Sequence, residues 1–169
     1  MLIADATEAD LSGILAIYNE VIARTTAVYS NEPVTLENRF EWWSGRVVHG
    51  YPVLVCARCH RRHGVCHLWR FSSLARVPIH GRAYRARARR LSWAGDRERA
   101  VQALFPRATA LGKHVMIAGV DAANIASIRF HEALGFEQVA LLREVGRKFN
   151  RWPRPGIAAA LADAAGAPR

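Results

Sequence analysis

The feature that most constrains this chain is an arginine-rich interval in its middle. Residues 56–100 contain twelve arginines, no lysine and only two acidic residues, Asp96 and Glu98. The interval therefore carries a net charge of +10, which equals the net charge of the whole 169-residue chain, so the remaining residues are balanced. Because folded domains rarely bury unpaired charge, this interval does not have the composition of buried strands or helices.

Composition outside that interval is typical of a globular protein. The chain is 51% hydrophobic and long enough for one domain with a full core, so we expect a single domain over 1–169. It has no apolar run of about eighteen residues, which predicts no membrane span. The start, "MLIADATEAD", has neither a basic region nor an apolar run, so we expect no signal peptide and a cytoplasmic location.

The residues before the interval have the pattern of an ordinary α/β domain. Thr7 and Asp10 form a capping box ahead of apolar residues that recur at helical spacing as far as Ile22. A second helix is predicted to begin near Thr35. The run "YPVLV", residues 51–55, has the composition of a buried strand.

Regular patterns return after residue 100. The run "HVMIAGV", 114–120, predicts another buried strand. Asn124 is a favourable N-cap for the helix "IASIRFHEAL", and Gly135 is a favourable C-cap. The following run, 136–146, predicts one more strand.

Two intervals show no such pattern. Residues 57–100 have neither the period of a strand nor that of a helix, and 153–169 are of low complexity without strand alternation. Pro106 also fits poorly inside the helical pattern that begins at residue 101.

The segment "CARCHRRHGVCHLWR", residues 56–70, raises the possibility of a metal site. It contains all three cysteines and three of the seven histidines of the chain, at spacings that a zinc ion could use. Its basic charge also allows a nucleic-acid-binding arm, although such arms usually contain lysine and interleaved aromatic residues. A zinc-binding or nucleic-acid-binding protein is therefore one alternative, and an inactive pseudo-enzyme is another.

The flanking segments resemble a known enzyme family. The resemblance lies in "ATEADLSGILAIYNEVIARTTAVYS", "ALGKHVMIAGVDAANIASIRFHEALGFEQV" and "REVGRKFNRW", which are similar to phosphinothricin and methionine sulfoximine N-acetyltransferases. It implies the GNAT acyl-CoA N-acyltransferase fold, a mixed twisted sheet flanked by helices. It also implies acetyl-CoA as co-substrate, a small amino-acid-like acceptor, and no metal, nucleic acid or membrane as partner. A homodimer is compatible with it.

The resemblance also exposes what the chain lacks. The family needs a strand that ends in a carboxylate, followed by an arginine- and glycine-rich loop that binds the CoA pyrophosphate at a helix N-terminus. Neither is present in 56–100. We therefore expect the central strands and the last strand of this fold to be corrupted.

A shift of reading frame accounts for this interval. When the last two bases of each codon are read with the first base of the next, Trp69–Arg70 and Trp93–Ala94 must both give glycine. Permitted codons from Arg62 to Glu98 then spell a sequence that contains T-V-E-H and R-G-R-G-I-G. The same shift after Trp152 permits L-D-L-V-L-L-Q. We therefore interpret residues 56–100 and 153–169 as translated out of frame.

The resemblance also implies roles for six residues. They are His131 as the acid for the departing thiolate, Asn124 and Ser127 as acetyl-CoA contacts, and Lys148, Phe149 and Trp152 near the acceptor. Each also has a plain structural interpretation: His131 as a helix histidine, Asn124 as an N-cap, and the last three as packing residues with a solvated lysine.

Overall fold

The computed structural model describes residues 2–58, 61–70, 80–87, 94–143, 147–150, 152 and 155–162. Its elements in chain order are β1 (Leu2–Asp5), α1 (Leu11–Arg24), α2 (Leu36–Val48), β2 (Val53–Arg58), β3 (Arg61–Arg70), β4 (His80–Arg87), α3 (Ala94–Gln102), α4 (Leu104–Ala110), β5 (Val115–Asp121), α5 (Ile125–Glu132), β6 (Glu137–Leu141) and β7 (Pro155–Leu161). The described residues thus form an α/β fold, as predicted.

The seven strands in the described residues belong to one mixed sheet, in the order β1-β2-β3-β4-β5-β7-β6. Every neighbouring pair is antiparallel except β4 and β5, which are parallel. The connection between those two central strands contains α3 and α4. The sheet therefore consists of two antiparallel parts that meet at one parallel pair.

Helices cover both faces of the sheet, and β2 shows how the sequence specifies this. Its residues 53–56 are all buried, but they belong alternately to two cores because successive side chains leave opposite faces of a strand. Leu54 and Cys56 pack in a core with residues of α3 and α4. Val53 and Val55 pack in another core with residues of α1. An unbroken apolar run is what a strand covered on both faces requires.

Local signals set the ends of the helices as predicted. The Thr35 side chain accepts the Asn38 N–H at 3.2 Å at the start of α2. The backbone N–H of Thr7 donates to the Asp10 carboxylate at 2.9 Å, although a short 3₁₀ helix precedes α1 there. Gly135, beyond the end of α5, has φ of +83°, a conformation that glycine adopts without strain.

Pro106 is accommodated by a break that the sequence pattern did not reveal. The helical pattern divides at Ala103, and Pro106 is the third residue of the separate helix α4. N–H groups in the first turn of a helix have no intrahelical acceptor, so proline removes no hydrogen bond there. The helical pattern that begins at residue 101 therefore covers the end of α3 and the whole of α4.

The central strands, which we expected to be corrupted, are present as backbone strands, and their corruption stays a prediction about side-chain packing. Residues 61–70 and 80–87 form β3 and β4, and β3 pairs with β2 on one side and β4 on the other. Backbone hydrogen bonds are common to all residue types, so a chain of suitable length can fill the space between β2 and β5. The side-chain pattern did not reveal this pairing.

The last strand, also expected to be corrupted, is likewise present in the backbone. Residues 155–161 form β7, which lies between β5 and β6 and pairs with both. Three of its seven residues are alanine and one is glycine, and such small residues gave no alternating pattern to detect. Residues 163–169 lie outside the described residues.

The described residues contain neither a metal cluster nor a membrane span. The Cys56 side chain is buried in the core, while Cys59 and His60 lie outside the described residues. Across the described ranges, no three His, Cys, Asp or Glu side chains are placed together as ligands. No helix in those ranges has both the length and the hydrophobicity needed to cross a bilayer.

Candidate active site

The two parallel central strands separate part-way along their length. They pair from His80 opposite Val115 as far as Ala83 opposite Ala118. Beyond these residues β4 continues along β3, and β5 continues along β7. Because the facing backbone groups of the two strands no longer bond to each other, the opening can accept an extended ligand through N–H and C=O groups.

A short turn joins β5 to α5 at this opening. One oxygen of the Asp121 carboxylate, Oδ1, accepts the N–H of Ala123 at 3.1 Å. The side-chain oxygen of Asn124 then accepts the N–H of Ser127 at 3.0 Å, which caps α5. Asn124 is exposed and Ser127 is half-buried. The first turn of α5 thus follows directly from the strand that borders the opening.

His131 lies one helical turn beyond Ser127. Its Nδ1 is 2.7 Å from the carbonyl oxygen of Ser127. Since a carbonyl oxygen only accepts hydrogen bonds, Nδ1 carries a proton, and Nε2 is the nitrogen that can exchange a proton with a ligand. The imidazole also makes edge-on contacts with Phe130 and Phe136, with ring centroids 5.2 and 5.3 Å away.

A small pocket adjoins His131 between α5 and the strands. Its lining includes Val120, Ile128, His131, Phe136, Gln138 and Ile157. Most of these side chains are apolar. The predicted acid therefore borders a small, mainly apolar pocket.

The other three predicted site residues lie between β6 and β7. Phe149 and Trp152 are exposed, at 46% and 56%, whereas Lys148 is only 1% exposed. The Lys148 ammonium donates to the carbonyl oxygen of Val28 and lies 5.1 Å from the centroid of the Phe149 ring. Removal from water lowers the pKa of Lys148. The solvated-lysine interpretation therefore does not describe this side chain.

The predicted site residues thus form two groups, one on α5 and one between β6 and β7. A hydrogen bond that the sequence did not reveal lies near both: the hydroxyl of Thr26 donates to Oδ2 of Asp121 at 2.6 Å. The sequence did offer a signal for Asp121, because it directly follows a predicted buried strand and lies three residues before the N-cap Asn124. Nothing comparable marks Thr26.

Sequence reasoning also missed a cationic stack on α2. The guanidinium of Arg39 lies 4.0 Å from the Tyr18 ring centroid, and the Trp42 ring contacts both Arg39, at 5.0 Å, and Arg46, at 4.3 Å. Arg39 is 5% exposed. Burial, together with the charge of Arg39, lowers the pKa of Arg46 to about 10. Cation–π contacts of this kind stabilise the packing of α2 against α1.

Comparison with known proteins identifies the family. None of the protein-family models matches the chain. The L-methionine sulfoximine/L-methionine sulfone acetyltransferase of Pseudomonas paraeruginosa is 38% identical over 163 residues, covering 89% of this chain and 88% of the relative. The chain belongs to the phosphinothricin and methionine sulfoximine N-acetyltransferase family.

Solved structures place this family member among GNAT enzymes. An acetyltransferase from Salmonella typhimurium, determined with its cofactor acetyl-CoA, superposes with a TM-score of 0.92 at 31% identity and covers 99% of this chain and 97% of its own. A GNAT superfamily phosphinothricin acetyltransferase from Sinorhizobium meliloti, in complex with acetyl-CoA, has a TM-score of 0.91 at 26% identity, covering 99% and 91%. The predicted GNAT fold is confirmed.

Proposed function

We propose that the ancestral activity of this chain is acetyl transfer from acetyl-CoA to the α-amine of a small amino-acid-like acceptor. Phosphinothricin, methionine sulfoximine and methionine sulfone are the acceptors to test first. The observation that carries this proposal is the opening between β4 and β5, with α5 beginning at its edge. Asn124 and Ser127 on the first turn of α5 are the proposed acetyl-CoA contacts.

The reaction requires two proton losses from the acceptor nitrogen, formation of the C–N bond, cleavage of the C–S bond and protonation of the thiolate. A carboxylate, directly or through water, takes a proton from the acceptor ammonium, and the free amine attacks the thioester carbonyl carbon. A backbone N–H at the opening stabilises the resulting oxyanion. The acceptor nitrogen then loses its second proton to solvent, the C–S bond breaks, and the CoA thiolate leaves with a proton. His131 Nε2 is the proposed donor of that proton, while Nδ1 remains bonded to the Ser127 carbonyl.

We further propose that this activity is impaired because two intervals of the chain are out of frame. In the shifted reading, the glutamate of T-V-E-H falls at Arg82–Ala83. Ala83 is paired with Ala118 at the last rung before β4 and β5 separate. A carboxylate there would lie at the apex of the opening, where the acceptor ammonium must lose its proton. The chain as it stands has no carboxylate at these two positions.

The phosphate loop of the shifted reading also falls in a suitable place. R-G-R-G-I-G falls at residues 92–97, which include the start of α3 at Ala94. Backbone N–H groups at a helix N-terminus favour the anionic pyrophosphate, provided that glycines let the backbone approach closely. In the chain as it stands, residues 92–97 contain one glycine, Gly95, where the shifted reading has three.

The proposed acceptor side is formed by the segment 148–152. Phe149 and Trp152 expose aromatic surface that can pack against an amino-acid side chain, whereas Lys148 points inward. A second copy of the chain could pair along the edge strand β6, where Val139 is 60% exposed. We expect the protein to act in the cytoplasm.

The decisive experiment compares this chain with a frame-restored chain, in which both intervals are read in the shifted frame. Resequencing of the coding DNA establishes which of the two the gene encodes. Thiol release from acetyl-CoA is then followed with phosphinothricin or methionine sulfoximine, and acetyl-CoA binding is measured by calorimetry. We expect turnover and binding for the frame-restored chain alone.

Three outcomes would contradict these proposals. Micromolar binding of acetyl-CoA by the chain as it stands would show that the shifted loop is not required. No thiol release from the frame-restored chain would overturn the proposed activity. One tightly held zinc ion per chain would instead favour the metal-binding alternative, which rests on the cysteine- and histidine-rich segment 56–70.

A further inference from the structure

The loop between α1 and α2, residues 25–35, is attached at two points to distant parts of the chain. The Thr26 hydroxyl donates to the Asp121 carboxylate, and the Lys148 ammonium donates to the Val28 carbonyl. The partners are 95 and 120 residues apart in sequence. We call these two hydrogen bonds the loop anchors. Both join the loop to segments that contain predicted site residues.

The first anchor has the geometry of a strong hydrogen bond. Its O···O distance is 2.6 Å, within the range of a hydroxyl donating to an ionised carboxylate. The same carboxylate accepts the Ala123 N–H through its other oxygen. Asp121 therefore joins the 25–35 loop to the turn that sets the start of α5 at Asn124.

The second anchor depends on an unusual local backbone. Phe149 and Asn150 have φ of +50° and +57°, a conformation that residues other than glycine rarely adopt. The side chains of Arg147 and Asn150 are hydrogen-bonded across the same turn. This turn directs Lys148 inward, where its ammonium is buried against the Val28 carbonyl. Burying an ammonium is costly unless it gains such a partner.

We propose that Thr26, Asp121 and Lys148 are positioning residues, and that the loop anchors hold the 25–35 loop as a wall of the acceptor site. This role rests on the acetyl transfer proposed above, because the anchors tie the loop both to α5 and to the segment of Phe149 and Trp152. Lys148 then acts on the acceptor through the loop, rather than by contact.

The chain offers matched variants for both anchors. Thr26→Val removes the hydroxyl with little change in shape, and Thr26→Ser retains a hydroxyl. Lys148→Met removes the ammonium, and Lys113→Met is its control because these are the two lysines of the chain. Hydrogen exchange of the amides in 25–35 is measured in each variant of the chain as it stands. We expect exchange about tenfold faster for Thr26→Val and Lys148→Met, and unchanged for Thr26→Ser and Lys113→Met.

A spectroscopic measurement tests whether the two anchors hold one loop. With ¹³C-labelled lysine the protein gives two side-chain signals, and Lys113→Met assigns them. Loss of the first anchor in Thr26→Val should shift the Lys148 signal, because Val28 then moves, whereas Thr26→Ser should leave it in place. If Thr26→Val and Thr26→Ser had equal amide exchange rates in 25–35 and equal Lys148 signals, the proposal that the loop anchors hold this loop would be wrong.

The positioning role is tested in the frame-restored chain. Thr26→Val should raise the KM for the acceptor about tenfold, as expected for loss of a hydrogen bond to a charged group, and leave the KM for acetyl-CoA nearly unchanged. An unchanged acceptor KM would overturn the role. A frame-restored chain without activity would count against the proposed function, whereas exchange and lysine signals by themselves decide whether the anchors exist.

Discussion

The strands β4 and β5 lie side by side in the sheet, yet the sequence specifies them in different ways. In β5 Met116, Ala118 and Val120 are all buried, so the strand combines backbone pairing with side chains suited to a core. In β4 three of eight residues are arginines, and β3 contains three more. Backbone pairing and chain connection can thus place a strand where the residue pattern does not predict one.

The energetic consequence of this difference is large. The two central strands β3 and β4 contain six arginines. Each charge must stay in water or be removed from it, and a buried charge without a partner costs several kcal/mol of folding free energy. The apolar residues of β5 instead gain about 25 cal/mol for each Å² removed from water. We therefore expect β3 and β4 to open far more readily than β5.

Native-state hydrogen exchange provides the largest test of this difference. Amides in 80–87 should exchange at least about a hundredfold faster than amides in 115–121, which corresponds to about 2.8 kcal/mol in opening free energy. The measurement follows both strands in one sample, so β5 serves as the internal reference. Equal protection of the two strands would show that the arginine-rich interval is as well packed as the flanks.

The second test asks whether the segment after residue 100 contributes a catalytic residue. In the frame-restored chain, His131→Ala should lower kcat about tenfold to a hundredfold, near the lower part of the range for a general acid. The effect should fall on kcat more than on KM, because a proton donor acts in the transition state. An unchanged kcat would leave His131 with a structural role through its bond to Ser127 and its two phenylalanine contacts.

A smaller effect is expected from two matched valines, one just before the arginine-rich interval and one inside it. Val55 in β2 and Val65 in β3 are directly paired, are 1% and 2% exposed, and belong to the same core cluster. Val55→Ala should cost about 1.5 kcal/mol or more of unfolding free energy. Val65→Ala should cost less than half as much, because β3 can adjust. Urea unfolding of both variants measures this, and equal losses would contradict a loosely held β3.

Prediction of the fold from sequence succeeded where the signal was local. Thr35, Asn124 and Gly135 mark helix ends through bonds and backbone angles within a few residues, and these marks agree with the structure. The strands β3, β4 and β7 were missed because strand pairing is non-local and their side chains show no alternation. Only the resemblance indicated that strands belong there.

The candidate site shows the same division. The resemblance implied the roles of Asn124, Ser127 and His131, and their spacing along one helix and its N-cap predicts that they lie close together. The bond between Thr26 and Asp121 joins residues 95 positions apart, and no local pattern marks such a pair. The inward direction of Lys148 was likewise not predictable, because it depends on backbone angles of the two following residues.

The smallest expected effect concerns pH and Lys148. Its folded-state pKa lies below the 10.5 of an exposed lysine because the ammonium has lost water. Between these two values the unfolded chain binds more protons than the folded chain, so the free energy of unfolding should rise with pH across that interval. This contribution is complete above the unfolded pKa and is lost as pH falls through the folded pKa. Urea unfolding from about pH 8 to about pH 11 should show a shallower rise in the free energy of unfolding for Lys148→Met than for Lys113→Met. The Lys113→Met variant is the control for loss of an amine elsewhere in the chain. Identical slopes in the two variants would mean that the Lys148 ammonium keeps its water, and that the turn after β6 does not bury it.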